Sequence, residues 1–262
     1  MHRESWEDML GGVELFFEWC AANRVNRVEW MLLGDPRWGK LNDSPVRQRR
    51  LRRIVDMAHS FGLLAGADVP LGLKQQHAWY MVRTRDRPET RRRHIRERCD
   101  WVAAAGFDFL STESGLSEFT HPGEAIMLDL LDTFAEHVNG TLGMEAAVKV
   151  HCSTGQYCES HDDPRAEGEP LNFNFLPTYA SPSLGVMAHT VQAYGLDDSA
   201  AGVYGNPDFG EMLDYLTYEA DKGERSVIYY GETAYWVSVD IDVPLMLPVY
   251  GERRLHDLRL LS

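Results

Sequence analysis

Residues 90–113 read TRRRHIRERCDWVAAAGFDFLSTE. A helical pattern runs from Thr90 to Ala105 and is closed by Gly106, a residue suited to the left-handed turn that ends helices. The short apolar run 107–111 follows and reads as a strand, and just past it stands Glu113. A parallel strand buried on both faces is nearly continuous apolar sequence, so a carboxylate at its end calls for a reason. The arrangement recurs. The run 146–150 is followed by His151, 184–188 by His189, and 226–230 leads to Glu232. In barrels of alternating strands and helices the reacting groups stand at the carboxyl ends of several strands. Four such residues on successive strands define a candidate site.

The same alternation extends outward in both directions. Residues 7–23 place Met9, Leu10, Val13, Phe16, Phe17 and Cys20 at the spacing of a helix with one buried face. The run 27–33 is a strand that stops at Gly34-Asp35-Pro36. Ser44-Pro45 then opens a helix with an N-cap and a first-turn proline, running to Ser60. A strand over 63–69 ends in Asp68-Val69-Pro70. Downstream, helices are expected over 122–137, 206–220 and 252–261, with a long polar loop across 153–182. This pattern predicts an α/β fold, a (β/α)8 TIM barrel formed as a single domain over 1–262. Six strands are clear and a seventh falls near 239–247, whereas a closed barrel has eight. The chain also opens on a helix. The first strand is therefore expected to be missing, which makes the six clear strands the second to the seventh. Glu113 then stands on the fourth barrel strand, His151 on the fifth, His189 on the sixth and Glu232 on the seventh.

Composition narrows the partners. At 262 residues and 44% hydrophobic, the chain can bury one large core. Its net charge of −14 argues against nucleic acid and against an anionic membrane surface. The basic run 47–53 alternates with apolar residues and reads as a solvated helix face. No apolar stretch approaches the roughly 20 residues that cross a bilayer, and the charged start (His2, Arg3, Glu4) does not resemble a signal peptide, so a cytoplasmic location is the default expectation. Cys20 and Cys99 lie in helical patterns as small buried hydrophobes. Cys152 and Cys158, beside His151 and His161, leave a zinc site, a disulfide or two free thiols open. Glycine-rich phosphate loops, Gly-x-Ser-x-Gly elbows and His-Glu-x-x-His helices are absent, which disfavours nucleotide, serine-hydrolase and zincin chemistry. Oligomeric state is not legible, and no cofactor is implied.

Side chains alternate along a strand, so Phe109, Ser111 and Glu113 share a face, as do Lys149 with His151, Met187 with His189, and Ile228 with Tyr230 and Glu232. Facing inward, these sets would gather two carboxylates, two imidazoles, a lysine and a tyrosine. Such burial is costly unless the groups are paired, solvated or engaged by a ligand. Paired carboxylates across a barrel mouth are what glycoside hydrolysis needs. Glu113 and Glu232 resemble the acid/base and nucleophile of the TIM-barrel glycoside hydrolase superfamily. Residues 15–33 (LFFEWCAANRVNRVEWMLL) are similar to the helix-then-strand segment of the α-glucuronidase and β-hexosaminidase barrels. The superfamily usually places Asn before its strand-four Glu; this chain has Thr112.

That resemblance implies a hydrolase acting on carbohydrate, with Glu113 as general acid/base and Glu232 as nucleophile. His189 and Tyr230 would tune Glu232, while Lys149 and His151 would contact sugar hydroxyls. Trp38, Trp79, Tyr80, Tyr235 and Trp236 could stack on pyranose faces, with loop packing as the plainer reading of each. Asp35, Asp68, Gln76 and His77 are further substrate-binding candidates; turn capping would explain the aspartates equally well. Turn capping could likewise occupy Glu113, an ion pair with Arg253 could occupy Glu232, and either histidine could be structural. Two other functions fit the same residues. A divalent-metal barrel enzyme of sugar-isomerase type could use Glu113, His151, His189 and Glu232 as ligands, and a non-catalytic barrel could simply bind carbohydrate.

Overall fold

The computed structural model describes residues 6–34, 36–72, 77–191, 194–200, 202–232 and 246–262. The chain divides into two compact units, Met1–Glu113 with Thr133–Ala146, and Ser114–Asp132 with Ala147–Ser262. In chain order the main elements are α1 (Trp6–Ala22), β1 (Arg27–Met31), α2 (Pro45–Ser60), β2 (Leu64–Asp68), α3 (Pro88–Ala103), β3 (Phe109–Glu113), α4 (Glu124–Ala135), β4 (Glu145–Val150), β5 (Tyr157–Asp162), β6 (Pro170–Asn172), β7 (Leu184–Thr190), α5 (Gly210–Lys222), β8 (Val227–Gly231) and α6 (Met246–Leu260). The six-stranded sheet has the order β1-β2-β3-β4-β7-β8. β1 with β2, β2 with β3 and β7 with β8 pair in parallel. The fold is an incomplete TIM barrel of six strands. Of the expected seventh strand, 239–245 lie outside the described residues, and Met246 and Leu247 belong to α6.

In the first unit, α2 starts as its sequence requires: Ser44 Oγ accepts from the Arg47 amide at 3.1 Å, ahead of Pro45 at the first helical position. Its arginines 49, 50, 52 and 53 are exposed. α1 buries Leu10, Phe17 and Cys20, but Met9 and Phe16 of the expected stripe are exposed, as is Trp19. β3 begins two residues later than the apolar run because Phe107 packs on Trp30, ring centroids 5.1 Å apart, before pairing starts. Asp108 is spent on local bonds, its Oδ2 accepting from the Ala65 amide at 2.7 Å and lying 2.8 Å from His59 Nε2. The first register pair is Gly66 with Phe109. Any Cβ at Gly66 would overlap the Phe109 ring, and the Arg27 guanidinium lies 4.2 Å from the centroid of that ring.

In the second unit, the segment expected to be an irregular loop is built. β5 and β6 form an antiparallel hairpin, followed by a 3-10 segment, Phe173–Tyr179. A buried ion pair holds that segment to α5. Arg225 Nε lies 3.1 Å from Glu219 Oε2, with side chains 2% and 0% exposed. Arg225 also donates to the carbonyls of Pro177, Thr178, Ala180 and Leu184, and Thr178 Oγ1 donates to Glu219 at 2.5 Å. Cys20, Cys99, Cys152 and Cys158 are all free and buried. No helix among the described residues is long and apolar enough to cross a membrane.

Two substitutions test this packing by urea unfolding. Gly66→Ala should destabilise by about 1–3 kcal/mol, with Phe109→Leu recovering part of the loss. Glu219→Ala should cost about 3–5 kcal/mol, because it leaves the Arg225 charge buried without its partner.

Candidate active site

The strand ends of the second unit carry the polar cluster. β4 ends at Val150 and delivers Lys149 and His151; β7 delivers His189; β8 delivers Tyr230 and then Glu232. Register fixes two of them side by side, since His189 is the β-partner of Tyr230. The rings are in contact: His151 to His189 at 4.9 Å edge-on, His189 to Tyr230 at 5.7 Å, and Lys149 Nζ 5.7 Å over the Tyr230 ring. Lys149, His151, His189 and Tyr230 thus converge as alternation predicted.

Hydrogen bonds fix the two imidazoles in opposite senses. The Ser153 amide donates to His151 Nδ1 at 2.9 Å, so in the neutral ring the proton sits on Nε2. His189 Nδ1 lies 2.9 Å from the Thr190 carbonyl, which can only accept, so its Nε2 is the bare acceptor. Burial pulls His151 down to about 3, with His189 adding to the effect. Burial likewise pulls His189 down to about 4; the Thr190 carbonyl opposes this and Lys149 reinforces it. At neutral pH the pair offers one uncharged N–H donor and one uncharged acceptor.

Sequence reasoning missed two members, Glu118 and Tyr204. Tyr204 meets His151 edge-on at 4.8 Å and stacks on Phe119 at 5.5 Å. It holds φ at +53°, a region that costs a non-glycine residue of order 1–3 kcal/mol. Its carbonyl accepts from the Thr154 amide at 3.1 Å and from Thr154 Oγ1 at 3.2 Å, which secures that conformation. Burial pushes its phenol up to about 12; the Glu118 carboxylate adds charge and a hydrogen bond, and Cys152 and Glu232 add charge. Burial raises the Cys152 thiol to about 12, with Glu232 and Glu118 contributing. Two carboxylates therefore act on one phenol and one thiol within this unit. The Glu118 carbonyl is held by Ser153 Oγ at 2.5 Å and Gln156 Nε2 at 2.9 Å.

The first unit has its own strand-end polar group. Glu113 is the last residue of β3 and half-buried, so it lies in the strand and not past it. Asp68 ends β2 fully buried, and Ser111 donates to Glu29 Oε1 at 2.8 Å. Thr112 Oγ1 accepts from the Leu71 amide at 3.0 Å. Trp38 is exposed beneath the Arg47 guanidinium, 5.5 Å away. His77 is exposed with φ at +57°. Trp79 corrects the expectation of a stacking platform: it is 5% exposed, packs on Trp101 at 5.2 Å and donates its indole N–H to Asp43. Asp35, Gln76, Tyr235 and Trp236 lie outside the described residues. Among the described residues no group of three or more His, Cys, Asp or Glu is arranged to hold a metal ion, so Glu113, His151, His189 and Glu232 do not form the ligand set weighed for them. The same holds for Cys152, Cys158, His151 and His161.

An incomplete TIM barrel with ionisable groups at its strand ends defines the class. No protein-family model matches the chain, and no curated protein matches it by sequence. Solved structures do share the fold. An O-GlcNAc hydrolase of Thermobaculum terrenum aligns over 88% of the chain with TM-score 0.55 and 10% identity. The chain spans only 45% of that hydrolase's length. Dispersin B aligns over 94% of the chain and 78% of its own, TM-score 0.53 and 10% identity. A sugar phosphate isomerase/epimerase of Parabacteroides distasonis aligns over 88% of the chain and 77% of its own, TM-score 0.53 and 12% identity. At these identities the likeness is one of fold.

The depressed histidines set a pH dependence. Unfolded imidazoles titrate near 6.5, so as pH falls from there to about 4 the unfolded chain takes up protons that folded His189 refuses. Stability should therefore fall as pH is lowered through that window. His189→Gln should flatten the slope in urea titrations at pH 6.5, 5.5 and 4.5, and an unchanged slope would contradict the neutral assignment.

Proposed function

We propose that this chain is a glycoside hydrolase that cleaves O-glycosyl bonds with paired carboxylates. Glu232 acts as nucleophile and Glu113 as general acid/base. The observation that carries this reading is the contact cluster of Lys149, His151, His189, Tyr230 and Tyr204 around the strand end that bears Glu232. It stands on a fold shared with an O-GlcNAc hydrolase. In such chemistry one carboxyl delivers a proton to the leaving oxygen while the other stays ionised toward the anomeric carbon.

The neutral imidazoles suit a carbohydrate. His151 Nε2–H donates to one sugar hydroxyl and His189 Nε2 accepts from another, without placing a cation next to the lysine. Lys149 and Tyr230 complete the polar wall, Tyr230 sharing the strand face of Glu232. Asp35, Asp68 and His77 bind further hydroxyls, and Trp38, Tyr235 and Trp236 stack on sugar rings.

A second assignment has a specific observation in its favour. Glu118 hydrogen-bonds Tyr204 and acts with Glu232 on the same phenol and thiol, so Glu118 can supply the acid in place of Glu113.

Release of nitrophenol from a panel of aryl glycosides decides between them. Glu232→Gln should lower turnover about 10²- to 10⁴-fold while circular dichroism stays unchanged. A matching loss in Glu113→Gln assigns the acid to Glu113; a matching loss confined to Glu118→Gln assigns it to Glu118. Full activity in Glu232→Gln would refute the reading, and wild-type inertness toward every glycoside, with saturable sugar binding, would favour the non-catalytic barrel.

A further inference from the structure

The first unit contains a concave site that the proposed hydrolysis does not use. Residues 83–98 carry eight arginines, nearly a third of the 26 Lys and Arg in a chain of net charge −14. Most of that segment is α3, and an arginine-rich helix is ordinarily a solvated face. Here the chain before the helix folds against it. Arg83, Arg93, His94 and Arg98 line a cavity of about 670 Å³ together with Trp79 and Tyr80, a size typical of small-molecule sites. A second hollow of about 500 Å³ shares Tyr80 and Arg83 with it and adds Arg85.

The cationic wall is preorganised at one end and loosely engaged at the other. Arg98 Nη1 donates to the Tyr80 carbonyl and, at 2.9 Å, to the Met81 carbonyl, and its guanidinium lies 5.2 Å over the Trp79 ring. Both bonds come from one nitrogen, leaving the rest of its five-donor fork. Arg93 pairs with Glu97 at 3.4 Å, both side chains more than half exposed, a contact worth little in water. Of the two carboxylates on the lining, Asp43 and Asp86, Asp43 already accepts the Trp79 indole N–H at 2.8 Å. Guanidinium groups gathered around a hollow repel one another, and a planar fork meets an oxyanion with two parallel bonds.

We propose that this cavity binds a small molecule bearing a phosphate monoester, a doubly charged oxyanion, through Arg83, Arg93 and Arg98, with Trp79 and Tyr80 bordering its carbon skeleton. The site is independent of the hydrolase reading, because none of its residues belongs to the proposed catalytic set.

Titration calorimetry of the full chain with inorganic pyrophosphate and with glucose 6-phosphate, glucose serving as the uncharged control, tests it. Expected is saturable binding of one or both anions that weakens as salt is raised, with no heat from glucose. Pyrophosphate alone binding would mean that the oxyanion suffices; glucose 6-phosphate binding more tightly would assign the skeleton a role. The Arg83→Gln/Arg93→Gln double variant, both positions on the cavity wall, should weaken binding by about tenfold or more. The charge-matched Arg49→Gln/Arg96→Gln variant, on exposed positions off the lining, should bind as wild type. No saturable binding, equal loss in both double variants, or equal binding of glucose would overturn the proposal.

Discussion

Ser153, fully buried just past β4, is the point on which the second unit's polar cluster turns. Its amide orients His151, its hydroxyl holds the Glu118 carbonyl, and its own carbonyl accepts from Asn172 at 3.2 Å and Asn174 at 2.7 Å. One residue thus spends its donors and acceptors on its near neighbour His151 and on two segments distant in sequence. In a low-dielectric setting such a network is rigid when every member is satisfied and costly when one is not. The tautomer of His151, and with it the N–H presented by that ring, follows from this buried serine and not from the imidazole itself.

The next constraint is charge. Burial disfavours a cation on either imidazole, and the neighbouring His189 for His151 and Lys149 for His189 add to the effect, so both histidines stay neutral. Burial, with Glu118 and Glu232 adding to it, holds the phenol of Tyr204 and the thiol of Cys152 in their protonated forms. The result is a cluster whose two imidazoles, phenol and thiol are neutral. Polyhydroxylated ligands need that kind of surface, with many directional bonds and few charges to desolvate.

The alternation of strands and helices was legible because buried parallel strands betray themselves as apolar runs, and the strand-end residues were legible because they interrupt that rule. Boundaries were less so: Asp108 breaks the 107–111 run for local hydrogen bonds, and pairing begins after it. The β5–β6 hairpin was hidden by its composition, since only Cys158 of β5 is buried and the rest is polar, as in a loop. Glu118 and Tyr204 carried no periodic signal at all. They meet across 86 positions of sequence, through a turn whose left-handed tyrosine no propensity scale would propose. The density of arginine in 83–98 was visible, but only the chain folding back over α3 turns it from a wet face into a lined hollow.

Among the described residues the sheet order ends at β1 and at β8, and the chain treats these two edges differently. β1 and β8 stand at the ends of the order and lack the fully buried positions that fill β2, β3, β4 and β7. β1 carries Arg27 and Glu29, charges of the kind that discourage pairing with another strand. β8, Val227–Gly231, carries no charged residue and has β7 as its sheet neighbour. α6 supplies the second support. Arg254 donates to Tyr229 and, at 3.1 Å, to Thr190 Oγ1, while Asp257, fully buried, pairs with Arg254 at 2.9 Å and accepts from Tyr229. That network ties Thr190 at the end of β7 and Tyr229 in the middle of β8 to one helix. It also explains Gly231, the residue between the two site side chains: a Cβ there would strike Arg254. The absence of a side chain at 231 is what lets the helix close over the edge strand between Tyr230 and Glu232.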